Sequence, residues 1–237
     1  MKPTSGSTFK GWMVLGLMLL TSVATAQRYT KTDTLVSRGL RVGLDLYGPV
    51  YTYLRPEVVY QGEGSLDLWI AKKYYAVLEP GVFRYKYQFS NQLSSFDYLA
   101  RGYYGRLGVD VNLLQGEDMV YVGARYGRAE YRESFSNIII DQSGYFGSVQ
   151  GAPVDRRLVG HWAEIVGGVR VRLKPQVFIG FTGRFKFKIG LNETEDLTTF
   201  QIPGYGVSDR PTRLGINYYL LYKFGKAPAP AAPLKFP

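Results

Sequence analysis

The residues best equipped for chemistry are one histidine and a scatter of carboxylates. His161, the single histidine of the chain, precedes Trp162 and stands three residues before Glu164. A histidine beside a carboxylate is the core of a general acid–base pair, but the pair works only when a nucleophile or substrate is held in line with it. No spacing around His161 specifies that partner, and the residue reads as an ordinary position at the start of a strand, near an outer rim. Asp67 with Glu79, and Asp110 with Glu164, resemble acid–base dyads. So many arginines share their face that mutual charge neutralisation is the plainer reading. Gly102, Gly105 and Gly108 do not make a phosphate loop, because they fall inside a strand pattern, where they make room for Tyr or Arg of neighbouring strands. Asn192-Glu193-Thr194 matches a glycosylation acceptor and reads as loop sequence. There is no cysteine, which excludes disulfides, thiolate catalysis and cysteine-ligated zinc or iron–sulfur. No catalytic, cofactor-binding or metal-ligating residue is assigned, no cofactor is implied, and the chain is read as non-enzymatic.

What must position these residues is set by length and composition. A chain of 237 residues suits one barrel or sandwich better than two domains. Its net charge of +10 is spread along the sequence rather than gathered in runs, and no base-reading motif accompanies it, so no nucleic-acid partner is expected. The informative excess is 20 Tyr, 13 Phe and 28 Gly: tyrosine favours strands and membrane interfaces, and glycine relieves crowding in curved sheets.

The N-terminus reads as a signal peptide over residues 1–26. Lys2 and Lys10 give a positive region, Trp12 to Leu20 an apolar one, and Val23-Ala24-Thr25-Ala26 a small-x-small cleavage site before Gln27. Removing it leaves 211 residues with net charge +8. Residues 27–37 are read as an N-terminal periplasmic segment and 226–237 as an Ala/Pro-rich tail that cannot continue a sheet.

Between these lie eight segments of period-two alternation, the mark of a half-buried strand. The clearest, Gln176 to Ile189, sets Val177, Ile179, Phe181, Phe185, Phe187 and Ile189 against Thr182, Arg184, Lys186 and Lys188. Thr212 to Phe224 sets Leu214, Ile216, Tyr218, Leu220, Tyr222 and Phe224 against Asn217 and Lys223. Trp162–Leu173, Leu40–Tyr47, Leu66–Ile70 and Arg101–Leu113 follow the same rule. Met119–Tyr131 loses phase at Arg128, and Tyr75–Phe89 changes phase near Pro80, where a β-bulge would reconcile Glu79 with Arg84 and Lys86. Connections 71–74, 114–118 and 174–175 are short; 49–63, 89–98, 131–160 and 190–211 are long. Their alternation is that of strands crossing a bilayer with tight periplasmic turns and larger outer loops.

Alternation alone does not separate a membrane barrel from a soluble lipocalin-like carrier, since inverting the barrel leaves the pattern unchanged. Three features favour the membrane form: a polar face dense in charge (Arg41, Asp45, Asp67, Arg106, Asp110, Arg125, Glu164, Arg170, Arg172, Arg184, Lys186, Lys188), large aromatics on the apolar face near strand ends, and the loop alternation. An exposed sheet edge in lipid leaves backbone groups unpaired, so the first strand is expected to pair with the last. The fold class expected is all-β, an eight-stranded antiparallel transmembrane β-barrel over residues 38–225. An eight-stranded ring is filled by its own side chains, which argues against a continuous pore. A surplus of Arg and Lys on the inner face would bias any solute toward anions.

The signal ending Ala24-Thr25-Ala26, the alternating strands and the terminal Leu220-Leu221-Tyr222-Lys223-Phe224 resemble a small outer-membrane β-barrel protein. Gly43-Leu44-Asp45-Leu46 and Tyr121-Val122-Gly123-Ala124-Arg125-Tyr126-Gly127 are similar to an uncharacterised family from Bacteroidota-type bacteria. The resemblance implies insertion by the barrel assembly machinery, with Phe224 as the terminal aromatic that it reads, and implies no activity. The role expected is structural or partner-binding, in the cell outer membrane with both barrel ends facing the periplasm. The partners are outer-membrane lipids and a protein docking on loop 131–160 or on the C-terminal tail. Competing readings are a narrow channel or carrier for a small anionic solute, a lipid-modifying barrel enzyme, and the soluble carrier.

Overall fold

The computed structural model describes residues 39–54, 59–91, 93–114, 117–140, 147–192 and 199–225, all within one unit of the chain, residues 35–237. The expected signal peptide, the segment 27–37 and the tail 226–237 lie outside them, as do residues 141–146 of the expected docking loop. The described residues are almost entirely antiparallel strand: β1 Leu40–Asp45, β2 Val59–Ala71, β3 Tyr74–Ser90, β4 Ser94–Asn112, β5 Met119–Ile140, β6 Val149–Gln150, β7 Val154–Lys174, β8 Val177–Leu191, β9 Gln201–Ile202, β10 Gly206–Val207 and β11 Thr212–Phe224, with one helix, α1, at Tyr47–Leu54.

Eight of these strands form a hydrogen-bonded ring. Pairing runs β4-β3-β2-β1-β11-β8-β7-β5, and β5 pairs back onto β4. The first strand meets the last in register from Leu40 opposite Phe224 to Asp45 opposite Tyr219, so every ring strand has two neighbours, although the short β1 covers only Gly64–Leu68 of β2 and Tyr219–Phe224 of β11. The eight period-two segments of the sequence are these eight strands. No helix among the described residues is long and apolar enough to cross a membrane, which says nothing of strands.

Burial follows parity, and it is inverted relative to a soluble barrel. Inward positions of β1 are Arg41, Gly43 and Asp45, all buried, while Leu40 and Leu44 are exposed. On β8, Thr182, Arg184 and Lys186 are buried and Ile179, Phe181 and Phe185 are exposed. On β11, Asn217, Tyr219, Leu221 and Lys223 are buried while Leu214, Ile216, Tyr218, Leu220, Tyr222 and Phe224 face out.

Five expectations are corrected. The strands are longer at one end than alternation shows: β5 runs to Ile140 and β7 begins at Val154, so much of connection 131–160 is hairpin. Connection 89–98 shrinks to residues 91–93, which breaks the strict alternation of short and long. Residues 49–63 contribute α1 and the start of β2, and Asp45 caps the helix by accepting from the Gly48 N–H at 2.8 Å. No bulge lies at Pro80: Glu63 opposes Gly81 and Leu66 opposes Leu78 in one register, and β3 pairs with β4 without a break. Proline, lacking an N–H, removes one rung toward β2 and leaves the phase intact. Glu79 points in, and Arg84 and Lys86 point out. Nor does β5 lose phase at Arg128; Gly127, Ala129, Tyr131 and Glu133 continue the buried face.

Candidate functional site

The interior of the ring is a stack of charged layers closed at one end by aromatics. In the middle layer Arg106 of β4 lies 2.7 Å from Glu63 of β2, 3.3 Å from Glu79 of β3 and 3.0 Å from Glu164 of β7. Arg184 of β8 reaches the same three acids, at 2.8 Å to Glu79, 2.9 Å to Glu164 and 3.7 Å to Glu63. It also donates to Asn217 Oδ1 at 2.6 Å and to the Tyr219 hydroxyl at 2.8 Å. Tyr104 and Tyr219 donate to Glu63, and the Trp162 indole donates to Glu164 at 2.6 Å. Each carboxylate therefore faces two or more donors contributed by different strands. An ion pair taken out of water needs that saturation to offset its desolvation.

Toward the short-turn end a second layer joins Arg170 to Asp67 and to Asp110, the latter also 2.7 Å from Arg125. Arg41 sits over the rings of Phe178 and Tyr75, 4.7 and 5.3 Å from their centroids, and donates to the Glu117 carbonyl at 3.1 Å. The Glu117 carboxylate takes Lys223 and Arg172. Toward the other end Glu133 accepts from Tyr98 at 2.9 Å and from Arg156 at 2.7 Å.

The geometry agrees with the neutralisation reading of the two carboxylate pairs. Asp67, Glu79, Asp110 and Glu164 are all inside, each held by arginine, so charge neutralisation is their role. His161 lies well within β7 rather than at its start, faces outward, and its Nδ1 is 2.7 Å from the Tyr126 hydroxyl. Among the described residues no cluster of three or more His, Cys, Asp or Glu could hold a metal ion. The expected basic surplus is slight and comes from the partly buried Arg156, Arg172 and Lys188, since the fully buried charges nearly balance. The buried charges of the described residues are Arg41, Arg106, Arg125, Arg170, Arg184, Lys186 and Lys223 against Asp45, Glu63, Asp67, Glu79, Asp110, Glu117, Glu133 and Glu164. The acids that sequence reasoning missed are Glu63, Glu117 and Glu133, which stand in segments read as connections.

Glycines let these large side chains cross the axis. A Cβ at Gly127 would collide with the Trp162 indole, and one at Gly81 with the Tyr104 ring. Of the three glycines singled out in sequence, Gly102 and Gly108 face β5 at Tyr131 and Arg125, whereas a Cβ at Gly105 would meet nothing.

The long-connection end is closed by a segment that carries no strand signal in sequence. Residues 199–208, with the β9–β10 pair at their centre, fold inward so that Thr199, Ile202, Tyr205 and Ser208 are buried. Lys186 donates to the Gly204 carbonyl at 2.6 Å and Arg106 to the same oxygen at 3.1 Å. Ile202 and Tyr205 pack with Tyr104, Tyr131, Leu158 and Trp162. Above this plug is an aromatic cup of about 520 Å³ lined by Tyr87, Phe89, Phe96, Tyr98, Phe135 and Phe200. Its rings stack in sequence, Tyr85 on Tyr87 at 6.4 Å and Tyr87 on Phe200 at 5.9 Å. Phe135 of β5, within the loop 131–160 expected to dock a partner, is one wall.

Among solved structures, the chain is similar to Ail, the attachment invasion locus protein of Yersinia pestis, at 9% identity and a TM-score of 0.40, covering 79% of this chain and 99% of that one. It is also similar to CarO of Acinetobacter baumannii at 12% identity and a TM-score of 0.36, covering 82% and 100%. A search of curated proteins gave no match. A family model, described as a domain of unknown function (DUF6048), matches residues 8–225, and the chain belongs to that family.

Proposed function

We propose that this is a non-enzymatic outer-membrane β-barrel protein with a structural or partner-binding role in the envelope. The observation that carries the reading is the inverted burial: opposite charges pair inside the ring, while Leu, Ile, Val, Phe and Tyr cover its outside. Leu44, Leu107, Ile165 and Leu214 are each 60% or more exposed. A surface of that extent has no place in water, and a bilayer is the solvent that accepts it. A soluble lipocalin-like carrier has the opposite arrangement. The strands also suit the task, because a tilted crossing takes about 9–11 residues and most ring strands have more.

Within this reading residues 1–26 direct export, the barrel assembly machinery inserts the ring, and the ends of the first and last strands face the periplasm with the short turns. The plug and the ionic layers leave the lumen occupied, which favours a structural or partner-binding role over conduction. The aromatic cup faces outward with the long connections, where a partner would be met.

The test is fractionation of cells producing the full chain, followed by electrophoresis with and without boiling. The expected result is recovery in the outer membrane and a faster-migrating unboiled band. Recovery only in soluble periplasm would refute the reading.

A further inference from the structure

The fully buried charges of the interior nearly balance, so most of the net charge of +8 left after residues 1–26 lies elsewhere. Part of it is concentrated on one stretch of outer wall. Arg84 of β3 is opposite Arg101 of β4, Arg101 is opposite Arg132 of β5, and Arg132 is opposite Arg157 of β7. All four are exposed. Like charges directly across a strand pair repel, and this row places four side by side. One carboxylate serves the row: Asp155 is 2.5 Å from Arg132 and its charge also acts on Arg101 and Arg157, while among the described residues Arg84, Arg101 and Arg157 form no ion pair of their own. The nearby Glu130 is already taken by Arg128 at 2.5 Å and by the Tyr103 hydroxyl at 2.9 Å.

The position of the row is as informative as its charge. Moving from the short-turn end, the exposed outward residues of β3 run Leu78, Val82, Arg84, and those of β4 run Val109, Leu107, Tyr103, Arg101. Aliphatic gives way to tyrosine and then to arginine, the order in which a wall leaves hydrocarbon and enters headgroups. Tyr60 stands opposite Arg84 and, with Arg101, Arg132 and Arg157, lines a groove of about 690 Å³.

We propose that Arg84, Arg101, Arg132 and Arg157 bind the phosphates of a lipid headgroup in the outer leaflet, with its acyl chains lying on the apolar wall below. Guanidinium groups match phosphate oxygens in paired hydrogen bonds, and an anion there removes the repulsion that the bare row carries. A free phosphate could meet the arginines but not the wall beneath them, so the occupant is the lipid. This inference rests on the membrane reading.

The experiment uses the full chain refolded into phosphatidylcholine vesicles doped with either diphosphorylated or dephosphorylated lipid A, together with an Arg101→Gln/Arg157→Gln variant. Co-purified lipid A is measured after detergent extraction, and the unboiled gel shift is read on each sample. The wild type is expected to retain the phosphorylated form roughly tenfold or more over the other. The variant should keep the gel shift and lose that preference, and millimolar inorganic phosphate should not displace the lipid. Equal retention of the two lipids by the wild type overturns the proposal, as does a variant that keeps the preference or displacement by phosphate alone. Absence of any gel shift in the wild type refutes the membrane reading itself. If the variant alone fails to shift, Arg101→Lys/Arg157→Lys supplies the comparison; it should fold and retain a partial preference, and an undiminished tenfold preference counts against the paired guanidinium contacts.

Discussion

Arg184 is the side chain on which the interior depends most. It touches Glu79, Glu164, Asn217 and Tyr219, from strands on different sides of the ring. Replacing it with methionine fills much of the volume but leaves Glu79 and Glu164 short of a donor. Removing one partner of a buried pair costs about 3–5 kcal/mol, and urea unfolding of the inserted protein should show a loss of that size for Arg184→Met. The control is Arg128→Gln at the exposed pair with Glu130, where about 1 kcal/mol or less is expected. Equal losses at the two sites would mean that the interior is hydrated and its charges screened. The carboxylates of this network were partly legible. Asp67, Glu79, Asp110 and Glu164 stand out because alternation puts them on the charged face, whereas Glu63 and Glu133 fall where alternation has faded.

The fading has a physical cause at the scale of the element. Period-two contrast exists only where one face of a strand meets oil. Beyond that zone β5 carries Arg128, Glu130 and Arg132 outward and Ala129, Tyr131 and Glu133 inward, so both faces are polar or mixed and the pattern reads as loop. The strand geometry persists because backbone pairing with β4 and β7 continues there. The plug is illegible for another reason: Ile202 and Tyr205 are buried by turns that place them against Tyr104 and Trp162, and no periodicity announces that. Because β9 and β10 pair only with each other, and the plug is tied to the ring by side chains, with Lys186 and Arg106 donating to Gly204, Lys188 to Ser208 and Arg213 to Val207, it is separable from the ring. Replacing residues 200–207 with a short Gly-Ser linker should leave the unboiled gel shift in place and open the long-connection end. Planar-bilayer recordings are expected to show no discrete conductance for the native chain. The ionic layers below the plug predict that the linker variant also stays closed. Steps appearing in the variant alone would assign closure to the plug rather than to the charges.

At the scale of the whole molecule, everything rests on closure of the ring between β1 and β11. β1 is the shortest ring strand, at 6 residues, yet it separates β2 from β11 and carries Arg41 and Asp45 into the interior. If it left the ring, β2 and β11 would each present an edge in lipid, where unpaired backbone groups cost several kcal/mol apiece. The register sets Val42 opposite Tyr222 on the outward face, and the chain has no cysteine of its own to interfere. A Val42→Cys/Tyr222→Cys variant therefore reports closure directly, since directly opposed strand positions approach the spacing that a disulfide requires. Mild oxidation of the inserted protein should form an intramolecular cross-link, seen as altered mobility of the boiled, non-reduced chain. A pair displaced by one residue, Val42→Cys with Leu221→Cys, should not form it, because Leu221 faces the interior. Cross-linking of the displaced pair with none in the first would place the strands one residue out of register, reversing the burial of every side chain on one of them and removing the inverted pattern on which the membrane reading stands.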